Sequence, residues 1–193
     1  MARNVDHAAL MDFVHKRCKA TGGYGATPRL PATIQDTFQA VAITLVLAEE
    51  TPTTPQSEPA LAEYLSRMLA VPWLGIDTTF RLLITSRVCG LSTDGERVRS
   101  HLAACLARDA SLAAIYYTSR IAREILGEEP APRGAEQSLL LPAPCAVGDV
   151  ARYLFLKKMA GQPVAGAGEL VAWLQRAQNG DGGFGFFPGT TSF

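Results

Sequence analysis

The 193-residue sequence lacks any excess of charge: 18 lysines and arginines stand against 18 aspartates and glutamates, with no basic cluster among them. A surface without a basic stripe has little to neutralise a polyphosphate backbone, which argues against nucleic acid as a partner. Long apolar runs are missing too. The longest, Ala40 to Ala48, is interrupted by Thr44 and falls far short of the roughly 20 residues that cross a bilayer. The opening residues, MARNVDHAALMDFVHKR, contain no uninterrupted apolar stretch of the signal-peptide kind, so a cytoplasmic location is the expectation. Cys18, Cys89, Cys105 and Cys145 are scattered without CxxC spacing, and reduced, mostly structural thiols are expected. No segment alternates apolar and polar residues over a useful length, so strands are not predicted. What remains, 48% hydrophobic residues in a chain of single-domain size, suffices for one substantial core over residues 1–193.

What the sequence does have is a copied segment. Reading from Leu10, LMDFVHKRCKATGGYGATP aligns without a gap to LVAWLQRAQNGDGGFGFFP from Leu170, placing Gly22, Gly23, Tyr24, Gly25 and Pro28 on Gly182, Gly183, Phe184, Gly185 and Pro188. The offset is four times 40, and recurrence at a multiple of ~40 residues marks a repeat architecture in which each unit buries its apolar face by stacking on its neighbours. Leu10, Phe13 and Val14, like Leu170, Trp173 and Leu174, follow the spacing of one helical face. Each helix then runs into Gly-Gly-aromatic-Gly, whose glycines turn the chain sharply and whose aromatic is expected to plug back into the core. Thr33-Ile-Gln-Asp36 reads as a capping box opening a second helix.

Helical periodicity recurs in pairs. The first members are amphipathic (Leu61, Tyr64, Leu65, Met68, Leu69; then Val98, Leu102, Cys105, Leu106) and suit an outer layer. The second members, after Asp36, Asp77, Asp109 and Asp149, are apolar around most of their circumference and are placed inside. The recurring aspartates report helix starts, where exposed N–H groups favour negative charge. Proline-rich stretches at 50–59 and 127–137 read as connectors, and a fourth outer helix is expected to be short or irregular within 135–141. The fold class is therefore all-α, built of about four and a half helical hairpins.

A helix ending in Gln178-Asn-Gly-Asp-Gly-Gly-Phe-Gly185, with its counterpart at Gly22–Gly25 followed by Pro28 and Thr33, resembles the prenyltransferase and squalene-hopene cyclase repeat family. The resemblance implies an α/α toroid, complete or partial, whose central apolar cavity holds an isoprenoid or another apolar ligand. It does not carry the family's chemistry across. The sequence has no DxDD acid motif, no Asp-x-Cys zinc motif and no GCGEQ-like thioester segment, so the alternative is a non-catalytic interaction or dimerisation scaffold of the same fold.

The candidate residues follow from that picture. Asp36 and Asp77, followed by Thr37 and by Thr78 and Thr79, are candidates for a cavity rim as acids or ligands of a diphosphate, with Mg2+ if a diphosphate is bound. Helix-start electrostatics explain the same residues. Arg29, Arg81, Arg87 and Arg120 are the candidate cations, with ion pairing to a nearby aspartate as the other reading. Tyr116, Tyr117, Tyr153 and Phe155, with Phe38 and Phe80, would form an aromatic wall that either stabilises a cationic or apolar ligand or fills the core. His101 with Cys105, and His15 with Cys18, have helical spacing for two metal ligands each, too few for a site. If the last outer helix has no partner, Phe184, Phe186, Phe187 and Phe193 would expose apolar area; homodimerisation through that segment is expected, with packing across the gap onto the first hairpin or a fragmentary chain as the alternatives.

Overall fold

The computed structural model describes residues 6–48, 59–73, 75–129 and 145–191. Among these the chain forms eight α-helices: α1 (His7–His15), α2 (Ile34–Ala48), α3 (Pro59–Ala70), α4 (Ile76–Val88), α5 (Gly95–Arg108), α6 (Leu112–Ile121), α7 (Val147–Met159) and α8 (Ala167–Ala177). A π-helical segment, Ala122–Leu126, continues α6 directly. No strand occurs among the described residues, so the all-α expectation holds. The expected outer helix at 135–141 lies outside the described residues.

Local chemistry sets the helix starts. Thr33 and Asp36 form the expected capping box only in part: the Asp36 amide donates to Thr33 Oγ1 at 3.0 Å, but the Asp36 carboxylate accepts from the Thr33 hydroxyl at 2.6 Å, because the Thr33 amide is taken by Tyr24 O. Asp149 accepts from the Ala146 amide at 3.1 Å, and Asp94 caps α5 by accepting from the Glu96 amide at 2.9 Å. Asp109 departs from the expected pattern. It ends α5, and its carboxylate holds the Ser111 amide (2.8 Å) and hydroxyl (3.1 Å). Ser111, whose Oγ reaches the Ala114 amide, is the residue that caps α6.

The copied segments fold alike. In the first, Lys19 N donates to Gly23 O, Gly22 N to Lys19 O and Gly25 N to Arg17 O; in the second, Asn179 N donates to Gly183 O, Gly182 N to Asn179 O and Gly185 N to Ala177 O. Each partner in the second set is the first set's partner moved by 160 positions. Gly22 and Gly182 have φ of 82° and 87°, the left-handed region that a Cβ disfavours. Gly25 and Gly185 are glycine for another reason: a Cβ would stand 2.5 Å from Leu30 O in one and 2.3 Å from Thr190 O in the other. The two aromatics differ. Tyr24 is buried as expected, packed with Val14 of α1 and Ala40 of α2, whereas Phe184 is 44% exposed, no helix following its turn among the described residues.

Packing arranges the helices in two layers. α2 packs on α4, α4 on α6 and α6 on α7, making a continuous inner row; α1 lies against α2 and α8 against α7, while the side chains of α3 reach α2 and α4 and those of α5 reach α4 and α6. α2 and α7, the ends of the row, share no extensive interface. The core follows the same logic as a chain of clusters. Val14, Tyr24 and Ala40 close the first hairpin; Val41, Leu61, Tyr64, Leu65 and Leu82 join it to the second; Phe80, Leu83, Val98, Leu102 and Ile121 join the second to the third. α4 serves two clusters, which is why Thr79, Phe80, Leu82, Leu83, Thr85 and Ser86 are all buried. No described helix is long and apolar enough to cross a membrane.

Candidate functional site: an aromatic ladder along the inner helices

Phe38, Phe80 and Tyr116 each stand four residues after the first residue of their helix, Ile34, Ile76 and Leu112. Equal depth in successive repeats brings their rings to one level. Phe38 lies 6.3 Å from Phe80, Phe80 5.4 Å from Tyr117, Tyr117 5.1 Å from Tyr116, and Tyr116 5.2 Å from Phe155 of α7, as ring centroids. The contacts are tilted or edge-to-face, the arrangement that ring quadrupoles favour. A ladder of five rings thus crosses the whole inner row. Phe80 is buried; Phe38, Tyr116, Tyr117 and Phe155 are only partly covered by the described residues.

Arg120 sits at the centre of that ladder. Its guanidinium carbon is 4.5 Å from the Phe80 ring centroid, 5.5 Å from Phe155 and 5.7 Å from Tyr116, within reach of cation–π attraction. Nη1 donates to the Tyr116 hydroxyl at 3.0 Å and Nε donates to Glu124. Burial disfavours the charged guanidinium, but the hydrogen bonds to Glu124 and Tyr116 outweigh it and hold its pKa above the usual value. Glu124 is presented by the π-helical segment, an irregularity that tends to accompany functional positions. A second cation stands beside the ladder: Arg152 is 5.8 Å from the Tyr117 ring and pairs with Asp149 at 2.9 Å.

The other candidates have structural partners. Asp36 is committed to the capping box. Thr37, completely buried, accepts from the Tyr24 amide at 3.0 Å and donates to Thr33 O at 2.6 Å, so it is no ligand group. Asp77 pairs with Arg81 at 2.8 Å; burial opposes its ionisation, but Arg81 and backbone hydrogen bonds more than compensate and lower its pKa. Thr79 is buried against His101 Nε2 at 3.1 Å. Tyr153 is buried with the Lys157 ammonium 5.6 Å from its ring, and it takes no part in the ladder's ring contacts. Arg29 and Arg87 are exposed.

His101 and Cys105 do meet, with Nε2 3.4 Å from Sγ, but among the described residues no three histidine, cysteine or acidic side chains gather as a metal site would require. Sequence reasoning overlooked Glu124 and Arg152. The signal was present as charge pairs at i, i+4 (Arg120, Glu124) and i, i+3 (Asp149, Arg152), the spacings at which helical side chains meet. Compared with known proteins, the chain matches no protein-family model, no curated protein and no solved structure.

Proposed function

We propose that the inner face of this helical repeat binds an elongated apolar ligand with an anionic end, of which an isoprenoid diphosphate is the leading case. The observation that carries this reading is the half-buried ladder of Phe38, Phe80, Tyr117, Tyr116 and Phe155 with the Arg120 cation set into it. An unsaturated chain gains from both apolar burial and the ring faces, while the guanidinium supplies a planar fork for phosphate or carboxylate oxygens. Asp36 and Asp77 are engaged in a cap and an ion pair; Arg120, although Glu124 and Tyr116 hold its Nε and Nη1, has more N–H groups than those two bonds use and stands among the rings, so the head group is assigned to it rather than to carboxylate-held Mg2+. An α/α toroid, complete or partial, is the architecture in which such a face would line a cavity, and the repeat spacing and inner row support it. No reaction is assigned, since the sequence carries neither the DxDD acid nor the zinc-ligand motif.

Thermal melts with farnesyl and geranylgeranyl diphosphate, each with and without Mg2+, test the binding. A ligand at 100 times its dissociation constant raises stability by about 2.7 kcal/mol, an easily read shift in melting temperature. Tyr117→Leu, which keeps an apolar side chain but removes a ring, weakens that shift. No shift with any of these or with a C16 fatty acid overturns the reading. A second reading, a self-associating scaffold, is favoured by the exposure of Phe184 (44%) and Phe186 (52%), which gives the C-terminal aromatic segment an apolar surface.

A further inference from the structure

The two copies of the Gly-Gly-aromatic-Gly turn differ in what lies on them, and the covered copy shows what the exposed copy is shaped to accept. On the first, α3 lies so close that a Cβ at Gly22 would be 1.9 Å from Ala60 O and one at Gly23 2.8 Å from the Tyr64 ring. Three α3 residues make that contact: Ala60, Tyr64 and Arg67, the last donating through Nη2 to Thr21 O at 2.6 Å. On the second copy, nothing lies within 4 Å of a Cβ built at Gly182, and Phe184 is exposed.

The chain contains a helix with the same three-residue pattern. In α1, Ala9, Phe13 and Lys16 repeat the spacing of Ala60, Tyr64 and Arg67, while Leu10 and Val14 match Leu61 and Leu65. The match extends to burial. Val14, like Leu65, faces its own hairpin, whereas Ala9, Phe13 (49% exposed) and Lys16 lie on a solvent-facing side. Charge agrees as well. Asp181 occupies the position of Thr21, where the Arg67 guanidinium arrives in the first copy, so the Lys16 ammonium, paired within α1 with the exposed Asp12, would be delivered beside a second carboxylate.

We propose that two copies of this chain associate head to tail, α1 of one seated on the Gly182–Gly183 turn of the next, beside the exposed Phe184, as α3 sits on Gly22 and Gly23 within the chain. This rests on the self-association named as the second reading above and gives it a geometry. The contact is heterologous: the surface used on one copy differs from the surface used on its partner, so repetition leads to a ring or to an open filament. It continues an interface that the fold already uses between successive repeats.

Sedimentation and light scattering over a concentration series, with Phe13→Glu and Phe184→Glu variants, test it. Both substitutions are at exposed positions, and circular dichroism melts check that each variant folds. Wild-type chain forms species larger than a monomer, and each variant alone weakens association by about tenfold or more. An equimolar mixture of the two variants then forms a species that stops at the dimer, because one copy keeps an intact turn and the other an intact α1. A wild-type chain that stays monomeric overturns both the geometry and the self-association reading. Association that responds to Phe184→Glu but not to Phe13→Glu, with no dimer in the mixture, overturns the head-to-tail geometry and leaves a symmetric contact of the C-terminal aromatics standing.

Discussion

Gly22 and Gly182 share a conformation but not an environment, and alanine at each separates the two contributions. Both have positive φ, so either substitution forces a Cβ into the left-handed region at about 1 kcal/mol. At Gly182 nothing adds to that. At Gly22 the new Cβ also meets the Ala60 carbonyl, a backbone atom that moves only if α3 moves. Gly22→Ala is therefore expected to lower stability by about 3 kcal/mol or more, and Gly182→Ala by about 1 kcal/mol, as read by urea denaturation. His101 makes a pH-dependent contribution. Burial, with Arg108 and Arg97 nearby, lowers its pKa from the ordinary 6.5, so on acidification the unfolded chain takes up this proton before the folded one does. Stability attributable to His101 is thus fully present above pH 6.5, falls as the pH drops toward the folded pKa, and is level below it. His101→Gln should flatten that part of a melting-temperature profile; an unchanged slope would assign it to other groups.

The helix starts decide how Asp36 is to be understood. Its amide bonds to Thr33 Oγ1 and would do so in alanine too, whereas its carboxylate, held by the Thr33 hydroxyl, is worth about 0.5 kcal/mol at a helix start. Asp36→Ala should lower the melting temperature to match and leave the ligand-induced shift intact; loss of that shift with stability unchanged would return Asp36 to the binding surface. Capping and helical periodicity are local, and so the sequence disclosed the Thr33 box, the Gly22 turn and the order of inner and outer helices. Burial of the turn aromatic was legible only where a helix follows the turn: Tyr24 and Phe184 are equivalent in sequence, and the difference between them is α2, whose Ala40 packs with Tyr24. The ladder was half legible. Its rings were recognisable as a wall, but which of Tyr116, Tyr117 and Tyr153 face one another depends on helix rotation, and Tyr153 turned into the core. The π-helical segment had no sequence signature at all, because widening the hydrogen-bond ring by one residue leaves the apolar pattern of Ile121, Ile125 and Leu126 intact.

Neighbour-only packing has consequences for how the molecule opens. Each core cluster joins one hairpin to the next, so stability is distributed as hairpin terms plus interface terms along a row, and α4 takes part in two of those interfaces while α1 and α8 each rest on one inner helix. Local opening should therefore begin at α1 and α8 and reach α4 last, a gradient that native-state hydrogen exchange resolves amide by amide. Leu83 and Val14 test the gradient from the two positions. Leu83 is completely buried in the cluster between the second and third hairpins, where truncation to alanine costs about 3 kcal/mol in lost transfer energy and cavity. Its loss weakens the middle of the row, so Leu83→Ala should accelerate exchange in α4 and α6 as well as at the ends. Val14→Ala, in the terminal cluster, should accelerate exchange in α1 and the first turn while α4 and α6 keep their protection. Equal acceleration everywhere in both variants would mean that the hairpins unfold as one cooperative block, and the repeat-by-repeat energetics would be wrong even though the repeated geometry is right.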